Sequence, residues 1–130
     1  MLTACGGSNA SPTPTPLLSS CQQELSPLGF STIDARGFAE EDAAMNTVID
    51  ALNSGDRLAA HFAFYGPIHN FTHNIDPDLR SVDEEKAQLL CEAVLDLEDA
   101  LERSSDSLAA TDATRVRDLL REAAQILGYD

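Results

Sequence analysis

The sequence predicts an all-α protein: an antiparallel four-helix bundle behind a disordered Ser/Thr/Pro tether at the N-terminus. Three observations carry that expectation. From about residue 34 onward, apolar residues recur at the three-and-four spacing of a helix face. Four such segments are joined by short polar turns, which places successive helices side by side. Aromatic residues make up 5% of the chain, and no run alternates in the manner of a strand.

Each element can be justified in chain order. Gly6 to Pro16 reads GGSNASPTPTP. It has no large apolar side chain to bury, so it cannot offset the entropy of ordering and is expected to form a tether. Residues 1–16 are assigned to this head and residues 17–130 to the helical domain. The segment from Leu17 to Ile33 is broken by Pro27 and Gly29 and is expected to lie across the bundle, pinned by Cys21. The first helix shows the stripe Phe38, Met45, Val48, Ile49 and Leu52, ending near Asn53-Ser54-Gly55. A second stripe runs Leu58, His61, Phe62, Tyr65, Ile68, His69, Thr72 and Ile75. Gly66-Pro67 should kink it and Pro77 should stop it, because proline removes a backbone bond and clashes with the preceding turn. The aromatics around that kink, Phe62, Phe64, Tyr65 and Phe71, are expected in the core. The third stripe is Ala87, Leu90, Cys91, Val94, Leu97 and Leu101, with Glu98 at its edge. Ser81 or Asp83 caps its start, Ser81 pairing with Glu84 in a capping box. The fourth is Ala113, Val116, Leu119, Leu120, Ala123, Ile126 and Leu127, capped by Thr111 or Asp112 and closed by Gly128.

The chain opens Met1-Leu2-Thr3-Ala4-Cys5-Gly6-Gly7. Leu2 to Cys5 resembles the lipobox of bacterial lipoproteins: an apolar residue, two small ones, then the cysteine that receives diacylglycerol. The resemblance implies that Cys5 is lipidated and that the domain hangs from the outer face of a bacterial membrane, on the periplasmic or cell-surface side. The pattern departs from that family in having only Met1 ahead of the motif, where a basic and then an apolar region belong. A lipobox followed by a small polar tether and a folded domain is the layout such proteins share.

With Cys5 set aside, Cys21 and Cys91 remain as an even pair, the arithmetic of one disulfide in an oxidising compartment. The other reading is two unpaired thiols in a cytosolic protein. Their spacing matches neither a CxxC zinc or redox motif nor a haem-attachment motif. The 22 acidic and 8 basic residues give a formal charge of -14. That field repels phosphate backbones, which argues against nucleic-acid binding and towards cations or basic partners.

The three histidines fall within thirteen positions. On a helix, His69, His73 and Asp76 stand at i, i+4 and i+7 and share one face. Two imidazoles and a carboxylate suit a transition metal such as zinc, copper or iron. His61 lies about 80° round from His69 by helical geometry, so it converges only if the kink rotates the two halves. Tyr65 is one turn before His69. The competing reading makes the histidines structural parts of the core, with Asp76 closing a turn before Pro77. Met45 lies on a core stripe, where space filling is the commoner use of a methionine than copper ligation. No nucleophile–base combination or glycine-rich phosphate loop is present, so the sequence points to a non-catalytic binding protein. The alternative is a structural or protein-interaction module of the cell envelope. A haem or small apolar ligand near Phe62 and Tyr65 is a third possibility.

Overall fold

A computed structural model describes residues 20–103 and 106–130. The tether and Cys5 lie outside the described residues. A short 3₁₀ turn, Ser20–Gln22, precedes an irregular strap that runs to residue 34. Helix α1 is Ala35–Asn53 and α2 is Arg57–Ala63. A wide π turn, Phe64–Ile68, leads into α3, His69–Val82. Helices α4, Glu84–Glu102, and α5, Asp106–Leu127, complete the chain. The architecture is all-helical, with four helical rods packed together and the α2–π turn–α3 unit serving as the second rod.

Cross-helix pairs fix the directions. Asp42 and Asn46 of α1 meet Arg121 and Arg117 of α5. Lys86 and Asp96 of α4 meet Glu122 and Arg115 of α5. In both cases numbers rise on one helix as they fall on the other, so α5 runs antiparallel to α1 and to α4. Helices α3 and α4 follow the same rule, since they join end to start through Asp83 while His69, at the far end of α3, faces Glu98 near the far end of α4.

The helix stripes become the core. Met45, Val48, Ile75, Leu79, Leu97 and Val116 are fully buried. Met45 therefore fills space. Asp34 caps α1 by accepting from the Gly37 N–H, and Asp83 caps α4 by accepting from the Lys86 N–H. An aspartate at this position satisfies one of the four amides that a helix start leaves unpaired. At the far end, Gly128 adopts φ +80° and the Tyr129 amide reaches back to the Ala124 carbonyl, the left-handed stop expected there.

Several expectations need correction. Ser81 lies inside α3 and its hydroxyl donates to the Asp78 carbonyl, so it forms no capping box. Helix α5 begins at Asp106, which puts Thr111 and Asp112 inside it rather than at its cap. The kink falls at Gly66-Pro67 as expected, with Tyr65 and Gly66 in non-helical conformations. The turn there is wide, and it changes which residues face inward. Ala60, Phe64, Ile68 and Phe71 are buried, while Leu58 and Phe62 of the expected stripe are largely exposed, at 68% and 72%. Proline 77 does not stop α3, which continues to Val82. The pair that brackets the proline, Asp76 and Arg80, forms a two-pronged carboxylate–guanidinium contact at 3.0 and 3.1 Å. Pro77 forgoes the backbone bond to the preceding turn, and α3 nonetheless runs through it.

The strap lies where the sequence expected it. A disulfide joins Cys21 to Cys91 on α4, 70 positions apart, and both cysteines are buried. Side chains of α3 then hold the strap's backbone along its length. Asp76 accepts from the Leu25 N–H, Asn74 exchanges bonds with both backbone groups of Leu28, and Arg80 donates to the Cys21 carbonyl. At its end the strap presses on α1, where a side chain on Gly37 would meet the Thr32 carbonyl oxygen at 2.0 Å. Only glycine permits that approach.

Candidate functional site

Helices α3 and α4 and the strap enclose a recess of about 140 Å³. Its wall is made largely of Leu25, Leu90, Val94, Leu95 and Cys91, the last bonded to Cys21. Its polar lining consists of Ser20, His69, Thr72, His73, Asp76 and Glu98, with the buried Asp76 deepest and His69 and Glu98 at the rim. The heptad-like offsets 69, 73 and 76 place these side chains over one face of α3. Helix α4 supplies the opposite wall because 91, 94, 95 and 98 recur at the same spacing. The strap closes the side that a bare helix pair would leave open.

The polar residues are bound to very different extents. Asp76 is 3% exposed and its carboxylate is fully engaged, by Arg80 twice and by the Leu25 amide. The Thr72 hydroxyl donates to the His69 carbonyl within its own turn. His73 places Nδ1 at 3.1 Å from the Ser26 carbonyl. A carbonyl only accepts, so Nδ1 carries the proton and Nε2 of a neutral His73 is the acceptor nitrogen. His69 and Glu98 are the loose pair: Nε2 and Oε2 stand 3.4 Å apart, and each side chain is about a quarter exposed. Burial holds His69 below its ordinary range, with the neighbouring His73 adding to the effect. Burial also raises the Glu98 carboxyl, and nearby Glu102 raises it further, while His73 works in the opposite direction.

Four rings climb along the face of the kinked rod. The centroids of His61 and Tyr65 are 4.5 Å apart, those of Tyr65 and His69 5.8 Å, and those of His69 and His73 4.9 Å. Glu98 and Glu102 face this staircase from α4, and the Tyr65 hydroxyl lies 3.4 Å from Glu102. Burial, then Glu98 and Glu102, push the Tyr65 phenol up to about 12.

The structure therefore sorts the residues that the sequence singled out. His69, His73 and Asp76 line one recess, but the Asp76 carboxylate belongs to Arg80 and the strap. His61 joins the staircase through Tyr65 and stands outside the recess lining. Among the described residues, no group of three or more His, Cys, Asp or Glu side chains is disposed to hold a metal ion. The recess admits a body the size of benzene, which is far smaller than a porphyrin. Two residues of this groove have no counterpart in the sequence pattern: Glu98, at the edge of its stripe, and Arg80, the partner of Asp76. Glu98 stands one turn from both Val94 and Glu102, and only the packing of α4 on α3 brings it to the recess. No family model, curated protein or solved structure matches this chain.

Proposed function

We propose that the chain is a non-catalytic, extracytoplasmic binding protein, lipid-anchored through Cys5 and reaching out from a bacterial membrane on the tether of residues 6–16. Its site is the recess between α3, α4 and the strap. The observation that carries this reading is the pairing of a small apolar chamber with a rim whose His69 and Glu98 are only loosely engaged. The Cys21–Cys91 disulfide supports an oxidising location. The binding reading is favoured over an envelope spacer because a spacer has no use for a walled, disulfide-pinned chamber.

A titration of the labelled chain with a set of benzene-sized fragments, followed by NMR, tests it. Shifts confined to Val94, Leu95, His69 and His73 are expected at millimolar fragment or below. No response from these residues to any fragment overturns the reading.

A second reading, transition-metal binding at the same rim, is favoured by His73. An imidazole that donates Nδ1–H to a carbonyl presents Nε2 as a ligand, a common second-contact arrangement at zinc and copper sites. His69 would be the other nitrogen donor, and since no third such side chain among the described residues is disposed to join them, solvent would complete the shell. Calorimetry with zinc, copper and iron decides it. Binding tighter than micromolar that disappears in His69→Ala/His73→Ala establishes the metal, and weaker or unaltered binding removes it.

A further inference from the structure

We propose that the recess receives a small organic cation, its benzene-sized apolar body against Leu90, Val94 and Leu95 and its protonated amine at the rim, beside Glu98 and the His69 ring. This deepens the reading of the recess as a binding site and rests on it.

Three observations converge on that ligand class. The first is size: about 140 Å³ of largely apolar recess matches cavities that stay dry and take up benzene or xenon. The second is charge. Among the described residues no lysine or arginine lines the recess, and the carboxylate deepest in it, Asp76, is already matched by Arg80. Glu98 is left opposite a histidine that burial favours in its neutral form, at 3.4 Å, longer than a charge-assisted hydrogen bond. A carboxylate so placed is short of a cationic partner. The third is the staircase of His61, Tyr65, His69 and His73, with Glu98 and Glu102 facing it. Of these rings Tyr65 is the one whose face attracts a cation, and it stands one turn from His69, beside the recess rather than in its lining. An ammonium at the rim would meet the Glu98 carboxylate and could donate to the free nitrogen of a neutral imidazole, with its carbon body withdrawn from water. A carboxylate ligand of the same shape would meet Glu98 with like charge, inside a protein of formal charge -14.

The test compares benzylamine, toluene and benzoate on the full chain with its disulfide intact, by calorimetry or ligand-observed NMR. Benzylamine is expected to bind about tenfold or more tighter than toluene, with benzoate weakest. Glu98→Gln should weaken benzylamine about tenfold and leave toluene unchanged. Benzoate binding as well as benzylamine, or benzylamine indifferent to Glu98→Gln, overturns the proposal. Should that variant misfold, the methyl signals of Val94 and Leu95 in the native chain serve instead: they must shift with benzylamine, and their silence is contrary evidence. Toluene binding alone sinks the cation and spares the site, whereas failure of all three probes sinks the site as well.

Discussion

The groove between α3 and α4 has a locked end and an unlocked end, and the contrast shows how one helix serves both stability and binding. At the locked end Asp76 and Arg80 are 3% and 9% exposed, meet in a two-pronged contact, and reach out to the strap through the Leu25 amide and Cys21 carbonyl. Two turns earlier, His69 and Glu98 form a single long contact with each partner about a quarter exposed. Both ends pair a nitrogen base with a carboxylate. Both oxygens of the Asp76 carboxylate are engaged, and of the Arg80 guanidinium only Nη1 is left without a partner, whereas the Glu98 contact to His69 is single and long. Charge that is fully matched holds the chain together, and charge that is partly matched is available to a ligand.

The contrast can be broken most forcefully through the strap. Reducing the disulfide, or replacing it with Cys21→Ser/Cys91→Ser, should cost about 4 kcal/mol for a loop of this length. Urea denaturation with and without reductant measures it, and the recess should lose its fragment binding as the strap comes free. Asp76→Ala comes next. Removing one partner of a buried ion pair costs about 3 kcal/mol, the low end of the usual range, because Arg80 keeps the Cys21 carbonyl. The same denaturation experiment reads it, and hydrogen exchange should quicken at the Leu25 amide.

A smaller effect of opposite sign is expected at Glu41 of α1. Glu41 is buried, its Oε2 has no hydrogen-bond partner, and burial, then Glu40, raise its carboxyl above the ordinary 4.5. The folded state therefore holds this proton more tightly than the unfolded chain does. The contribution to stability is full below about pH 4.5 and is lost as pH rises through the raised folded value. Glu41→Gln should accordingly stabilise the protein by about 1 kcal/mol at pH 7 and lose that advantage toward pH 4. Denaturation midpoints at the two pH values check both sign and window. Smallest of all, His69→Gln should change stability by no more than about 0.5 kcal/mol, as expected for a partly exposed pair. A loss much larger than that would place His69 with the locked end.

How much of this could be read from the sequence varies along the chain. The stripes of α1, α4 and α5 were legible because each is regular and unbroken, so burial follows spacing alone. The kink was legible from Gly66-Pro67, but its consequence was not: a π turn alters the angular bookkeeping, and the inward face passed from Leu58 and Phe62 to Ala60 and Phe64. Pro77 misled for a related reason. Local chemistry argued for a helix end, yet α3 runs through the proline to Val82. Of the candidate site, the convergence of His69 and His73 could be read from their offset of four. The acid that meets them could not, since Glu98 is distant in sequence and identified only once α4 lies antiparallel to α3. Nor could the roof, because the strap carries no periodic pattern and is held by side chains of α3 rather than by its own.

The division of labour between the two carboxylates is tested most directly by urea denaturation of Asp76→Asn beside Glu98→Gln, two substitutions of equal size that each remove one charge. The account predicts a loss of about 3 kcal/mol for the first and a midpoint unchanged within about 0.5 kcal/mol for the second. Equal losses from both would contradict it, because Glu98 would then be a second lock and the groove would have no unlocked end.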